Sequence, residues 1–367
     1  MAFYLKLSSI SEFRDVTSSS VISSKVQLIF FLFWKVLLLS EILLSLPEGN
    51  NPLDEVSERR KKNVLMLSIK MSLNKSANII LNDCMNLKSN ESCLIVSDKK
   101  LKLVGNALYK NSLKIAKKSN LIFTKIPKVH GSEPPKYIAD EMLKYDVILM
   151  LTTKSLSHTM ARKNASEKGA RIASMPGITV GMMKRALNVD FNKIKLINEK
   201  LIKKLKGKNK ITIKTENDTF ISFFIKNRRW ISDNGIYTKN GAFGNLPAGE
   251  VFIAPLEGKT NGTIIVDASV GGVGKVDKNI KIDVKDGFIH NIEGGKTAEE
   301  FRKLLKSNLY KNVAELGIGT NYKAKITGNV LGDEKVAGTC HIAFGNNKHF
   351  GGKVDVPFHV DVVIKKP

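Results

Sequence analysis

The sequence predicts an α/β N-terminal domain, a parallel sheet covered by helices, followed by an α+β C-terminal domain dominated by antiparallel strands. Three observations carry this expectation. Helical and strand patterns alternate from residue 76 to about 206, and the strands are apolar throughout, as parallel strands buried on both faces must be. A Lys-rich run, EKLIKKLKGKNK at 199–210, then closes the pattern at Gly207. Beyond it come short alternating strands such as ITIKT and FISFFI, in a half rich in Gly and β-branched residues. With 367 residues, 43% hydrophobic and 25% charged, the chain can bury cores of ordinary size, which excludes a wholly disordered or collagen-like protein.

Each element follows from its local pattern. SANIILNDCMNL reads as a helix opened by the capping residue Ser76, and SCLIVSD (92–98) as a short buried strand. A helix at 100–118, the strand 121–126, a turn at Gly131 to Pro135, a helix at 136–144 and the strand 146–153 come next. A helix at 156–168, in which Ser155 or Ser157 is the candidate cap, a strand at 170–175 and one long helix at 179–206 complete the first domain. The domains are therefore set at 71–208 and 209–367, the second containing one helix at 297–307. The Lys run at the boundary reads as a solvated helix end whose cations suit the C-terminal dipole.

Residues 1–70 form an extension with one strongly apolar stretch, VQLIFFLFWKVLLLSEILLSL at 26–46. It is long enough to cross a bilayer only if Lys35 and Glu41 are tolerated inside it. Three readings stand: a membrane tether, a helix packed on the body, or a segment upstream of a true start at Met66 or Met71, the last being favoured. Membrane contact is expected only in the first case.

Charge and cysteine content narrow the class of protein. Lys and Arg number 59 against 34 acidic residues, a net charge of +25. Such an excess fits nucleic acid, an anionic membrane or an acidic substrate. Only nine of the 59 are Arg, and no Arg–aromatic interleaving of the kind single-strand readers use is visible, so no nucleic-acid partner is expected. Cys84, Cys93 and Cys340 make no CxxC pair, which suits a reducing compartment, by default the cytoplasm. No G-x-G-x-x-G and no P-loop follows any strand of the first domain.

Metal-ligating residue types gather in the second half. In VPFHVDVVI, His359 and Asp361 stand two apart on a strand and project to one side, a neutral nitrogen beside an anionic oxygen. His341 lies in GTCHIAFGNN between a small-residue turn and a glycine loop. Glu315 in NVAELGIGTN precedes a Gly-x-Gly turn, and Glu250 in NLPAGEVFIAP sits in a similar apolar frame. A buried carboxylate without a partner is unfavourable by several kcal/mol. One metal site would neutralise these groups together.

The strings NLPAGEVFIAP, AELGIGTN, GTCHIAFGNN and FHVDV, in this order, resemble the signature segments of the thermophilic-type metallo-aminopeptidases, peptidase family M29. GARIASMPGIT and SLSHTMAR are similar to that family's N-terminal domain, so the likeness runs from Met71 to Pro367. The resemblance implies an aminopeptidase, a homodimer as its relatives suggest, acting on peptides with two divalent ions of zinc, cobalt or manganese. Glu250, Glu315, His341, His359 and Asp361 would be the ligands, with Glu315, or else Glu250, moving a proton from water to the leaving amine. Lys348 stands where the family has a tyrosine ligand, and His349 beside it is a candidate substitute. His158 and Arg162, in the segment the family turns towards its cleft, are candidate substrate contacts. A rival reading keeps the scaffold but has a single iron(II) held by His341, His359 and Asp361, as in the short members that open hydroxylated pyridine rings with dioxygen. A third takes the chain as a non-catalytic, basic nucleic-acid-binding protein.

Overall fold

The structure is a computed structural model and describes residues 52–127 and 129–365. The apolar stretch 26–46 lies outside these. Among the described residues no helix is long and apolar enough to cross a membrane. Contacts divide the chain into Met1–Met71 and Ser72–Pro367. Of the first unit the described part is the leading portion of helix α1, Pro52–Asn78.

The second unit begins with the end of α1, which widens into one π-helical stretch, Ile79–Cys84. Ser76 is therefore no cap. It lies inside the helix, buried, and its hydroxyl donates to the Met183 carbonyl at 2.5 Å. Strands β1 (Ser92–Asp98), β2 (Lys118–Thr124), β3 (Val147–Leu151) and β4 (Arg171–Ser174) then alternate with helices α2 (Lys102–Ser112), α3 (Lys136–Met142) and α4 (Met160–Glu167). The sheet order is β2-β1-β3-β4-β8, all pairs parallel, where β8 is Phe243–Asn245, returning from beyond residue 208. Leu94, Val96, Ile148, Met150 and Ile172 face one way and pack against Ile138 and Met142 of α3 and Ala161 and Ala165 of α4. On the other face α2 crosses β1 at Gly105, where an added Cβ would stand 3.1 Å from Ser97 Oγ.

Element bounds differ from the expected ones where a side chain or a register intervenes. β2 starts at Lys118 because it pairs with β1 from Ser92 onward, which ends α2 early. The expected helix over 179–206 is two, α5 (Val180–Lys184) and α6 (Phe191–Leu205). Asp190 separates them, its carboxylate accepting from the backbone of Asn192 and Lys193 and so starting a new helix. α4 is capped by Thr159, not by Ser155 or Ser157. Thr159 Oγ1 accepts from Arg162 N, and the Glu133 carboxylate accepts from Met160 N and Ala161 N.

The rest of the chain forms two antiparallel sheets. One orders as β14-β13-β10-β6-β5, from Phe288–Glu293, Ile280–Lys285, Asn261–Val266, Phe220–Phe224 and Lys210–Lys214. The other orders as β12-β11-β17-β16-β15-β9-β7, from Gly274–Lys275, Ser269–Val270, His359–Ile364, Cys340–Gly345, Val313–Gly319, Glu250–Ile253 and Ile231–Asp233. They share one apolar core, Ile221, Phe223, Ile264 and Ile282 from the first meeting Leu316, Ile342, Phe344 and Val362 from the second, with Phe301 of α7 (Lys296–Leu304) among them. The parallel α/β half and the antiparallel half are thus both present, as the patterning predicts.

Candidate metal centre

The four strands β9, β15, β16 and β17 lie side by side, and period-two alternation decides what each presents. Leu316, Ile342, Val362 and Ile364 point into the shared core. Glu250, Glu315, His341, His359 and Asp361 occupy the other face. Across the strands each of them meets a small residue: Glu250 pairs with Gly319, His341 with Gly317, Asp361 and Glu315 with Ala343, and His359 with Gly345. This hollow is the reason for the Gly-x-Gly, which is not a turn but the middle of β15. A Cβ on Gly317 would stand 1.9 Å from His341 Nε2.

The chain before β9 is held firmly. Gly249 has φ 123°, in the left-handed half of the map, and a Cβ there would meet Asn321 Cβ at 2.7 Å. Asn321 Nδ2 donates to the Ala248 carbonyl at 2.8 Å, and Asn198 Nδ2 donates to the Glu250 carbonyl at 2.8 Å. Thr320 Oγ1 in turn donates to Asn198 Oδ1.

Folding brings all five expected ligands together. One donor atom each from Glu250, Glu315 and His341 lies within 4.8 Å of the others, all three residues buried. His341 Nε2 stands 3.2 Å from Glu250 Oε2 and 3.3 Å from Glu315 Oε1. The second oxygen of Glu315 faces His359 Nε2 at 3.6 Å, and Asp361 Oδ1 lies 3.7 Å from the same nitrogen. His359 Nδ1 donates to the Asn346 carbonyl at 2.8 Å, an atom that can only accept, so the neutral ring keeps a free lone pair on Nε2, directed at the cluster. His359 is at the rim, its side chain 29% exposed, while His341 is 1% exposed.

A divalent ion fits this donor set. Glu250 Oε2 and His341 Nδ1 are buried without a hydrogen-bond partner, and the absent side chain of Gly317 is what lets the His341 ring lie in the cluster. Oxygen and imidazole nitrogen are the donors that divalent first-row metals take. Charge says the same. Burial works to raise Glu250, but Lys335 and His341 outweigh it and hold its carboxyl at about 2. Burial dominates at Glu315 and raises it. Burial also acts to lower His341, yet Glu250 and Glu315 raise it well above the ordinary imidazole value. Anionic oxygens that grip a proton so strongly are equally a seat for a metal cation.

Three residues beside this cluster carry no signal in the sequence. Lys335, 2% exposed, places Nζ 2.5 Å from Glu250 Oε1, 2.8 Å from Glu334 Oε1 and 3.7 Å from Asp233 Oδ2. Burial works to lower the ammonium, and the three carboxylates together hold it well above its ordinary value. In a chain so rich in lysine nothing distinguishes this one, and DEK reads as a solvated triplet.

The remaining candidates are placed apart from the five. Lys348, at the position expected of a tyrosine, pairs with Asp355 on the surface at 2.6 Å and supplies no donor to the cluster. His349 is exposed and stacks on His158, ring centroids 6.0 Å apart. Phe350 sets its edge against His359 at 5.8 Å. His158 follows the carboxyl end of β3, the side on which open α/β sheets place ligands. Burial, followed by the electrostatic influence of the neighbouring His359 and His349, lowers it to about 4, so it is neutral at pH 7. Arg162 is spent locally: Nε donates to the Ser157 carbonyl, and the guanidinium lies 4.3 Å from the centre of the Phe243 ring.

A parallel α/β sheet joined to two antiparallel sheets, one of which carries a buried Glu-Glu-His group able to hold a divalent ion, defines the class of α/β plus α+β proteins with a candidate metal centre. Within that class, the chain belongs to the 2,5-dihydroxypyridine 5,6-dioxygenase family (NicX), whose sequence profile matches residues 89–367. A curated 2,5-dihydroxypyridine 5,6-dioxygenase of Pseudomonas putida KT2440 is 29% identical over 154 residues, 37% of this chain and 43% of that protein. The aligned part thus spans less than half the length of the relative. The fold is similar to that of the 2,5-dihydroxypyridine dioxygenase from Pseudomonas putida KT2440, with a TM-score of 0.67, 17% identity, and 80% of this chain and 92% of that one covered. It is also similar to AmpT from Thermus thermophilus, with a TM-score of 0.59, 15% identity and coverages of 81% and 93%.

These findings correct the M29 expectation. The likeness to AmpT is one of fold, whereas the family match points to a dioxygenase, so the assignments of peptide hydrolase and peptide substrate do not hold. The physical reason for the confusion is plain. A carboxylate–imidazole face on four antiparallel strands suits either chemistry, and short motifs around ligands report the cluster rather than the reaction.

Proposed function

We propose that the chain is an iron(II)-dependent dioxygenase that opens the ring of 2,5-dihydroxypyridine or a close relative. The observation that carries this reading is the family match across 89–367, which spans every strand of the donor cluster. In it His341, His359 and Asp361 hold the ion as a two-histidine, one-carboxylate set, and Glu250 and Glu315 border it. Iron(II) bound there supplies the one-electron chemistry that lets dioxygen react with an aromatic ring.

The chain's own groups do the rest. Glu315, raised by burial and set between the two histidines, accepts the proton of a substrate hydroxyl. Neutral His158, with His349 and Phe350 beside it, forms a flat wall at the rim, suited to a planar heteroaromatic ring. We read 209–367 as the part that carries the ion, His349 and Phe350, and 71–208 as the part that contributes His158 to this wall. The three cysteines are buried and unpaired, which favours a reducing compartment such as the cytoplasm.

Anaerobic loading of the chain with iron(II), followed by 2,5-dihydroxypyridine and a measured dose of dioxygen, tests the reading. One dioxygen should disappear per ring opened, with loss of the near-ultraviolet absorbance of the ring, and zinc should not replace iron. A fully iron-loaded chain that consumes no dioxygen with this substrate would end the proposal.

A further inference from the structure

We propose that Lys335 is a built-in cation occupying the place of a second metal ion, so that the centre takes one ion per chain. The inference rests on reading the five-residue cluster as a metal centre and does not depend on the substrate. Glu250 is the hinge of the argument. Its Oε2 faces His341 and the ligand cluster, whereas Oε1 receives the Lys335 ammonium at 2.5 Å. Glu334 Oε1 and Asp233 Oδ2 converge on the same ammonium, and Tyr237 Oη donates to the other oxygen of Asp233 at 2.8 Å.

Lys335 therefore has around it three carboxylates from three separate elements: Asp233 on β7, Glu250 on β9, and Glu334 just after the short helix α8, Val330–Asp333. Without the ammonium these are hard oxygen donors arranged about one point, the set a divalent cation takes. With it, each spends an oxygen on a charge that is tethered to the chain and cannot diffuse away. α8 fixes the tether, because Asp333 accepts from the backbone of Thr327 and Gly328 and holds the turn from which Lys335 projects. A cluster with Glu250 between two cation seats, one already filled by the protein, explains how a mononuclear centre retains Glu250 beside Glu315.

The test counts ions, not turnover. The full chain, stripped of metal and equilibrated anaerobically with manganese(II), is desalted and its bound metal measured by atomic emission and electron paramagnetic resonance. Wild type should hold one magnetically isolated ion. Lys335→Ala, folded or refolded with manganese present, should hold two and lose the isolated-ion spectrum through coupling. Lys335→Gln, which keeps an amide donor for Glu250 but no charge, decides the matter should the alanine variant not fold: two ions support the inference and one overturns it. Two tightly held ions in the wild type would overturn it as well. A chain with one ion and no dioxygenase activity would leave this inference standing and sink the substrate reading.

Discussion

Two of the buried charge clusters among the described residues are built on opposite principles. At the amino end of β4, Arg171 meets Glu91 in a two-pronged pair, Nη1 to Oε1 at 2.9 Å and Nη2 to Oε2 at 2.7 Å, while Nε donates to the Met85 carbonyl at 3.0 Å. One cation faces one anion and the guanidinium fork is used. A cavity of about 290 Å³ lies beside the pair, lined also by Asp146, Lys144 and Lys168. Around β9, β15, β16 and β17 the charges do not balance: Glu250, Glu334 and Asp233 surround one ammonium, Glu315 and Asp361 face the two histidines, and Glu250 Oε2 has no hydrogen-bond partner. A pair that neutralises itself serves the fold. Buried anions in excess of their cations call for an ion from outside, since each buried charge left alone is unfavourable by several kcal/mol.

Mutation should separate the two clusters cleanly. The largest effect is expected at the surplus. Asp361→Ala or His359→Ala should lower iron affinity by more than about 100-fold, above the 10–100-fold that an outer partner of a ligand supplies, and abolish ring opening, with little change in the melting temperature of the metal-free chain. Glu91→Gln should do the reverse. It leaves the Arg171 fork facing a neutral amide and should destabilise the fold by about 2 kcal/mol, less than the 3–5 kcal/mol of a fully buried pair because the cavity admits water, while iron stoichiometry stays the same. A Glu91→Gln chain that loses iron, or an Asp361→Ala chain that unfolds, would erase the distinction.

Much of this was legible in the sequence, and the limits of that legibility are physical. His359 and Asp361 could be placed on one face because a strand alternates strictly, and the parallel half because its strands are apolar on both sides. Glu250, Glu315 and His341 stood out through apolar and glycine-rich settings that a solvated residue does not need. Gly317 was misread as part of a turn, since a glycine pair in a strand is rare unless something approaches closely, and the approaching atom, His341 Nε2, is 24 positions away in sequence. The break in the helix over 179–206 was hidden because Asp190 is an ordinary helix-surface residue until its carboxylate is seen capping. Lys335 was invisible for a different reason: its burial is decided by carboxylates on two distant strands. The reaction itself was the least legible, because ligand motifs describe a donor set that both hydrolysis and oxygenation can use.

The glycine hollow offers a sharper cut within the surplus cluster. Gly317→Ala adds one methyl group where His341 Nε2 lies, so the imidazole must swing away from Glu250 and Glu315. Overpacking of this kind destabilises by about 1–3 kcal/mol. Metal affinity should fall by about 10-fold or more with it, whereas the same change at Gly105, against Ser97, should touch stability alone. Equal metal binding in both variants would mean that the hollow does not position His341.

The smallest effect distinguishes the clusters by pH. Hydrogen bonds from Arg171 come first among the influences on Glu91 and hold its carboxyl below the ordinary value of 4.5, against a smaller opposing push from burial. A carboxyl lowered in the folded state releases its proton more readily there than in the unfolded chain, so the stability it contributes is complete above about pH 5 and fades as the pH falls through its folded value. The melting temperatures of wild type and Glu91→Gln should therefore differ most near pH 7 and converge only once the pH has fallen below the lowered folded value of Glu91, where both carry a neutral group opposite Arg171. Iron binding should follow another course, weakening at a distinctly higher pH, because protons compete for the imidazoles, whose affinity for them is raised, before they reach Glu91. Convergence of the two melting curves only where iron is also lost would show that one titration governs both clusters and that the pair at Glu91 is not independent of the centre.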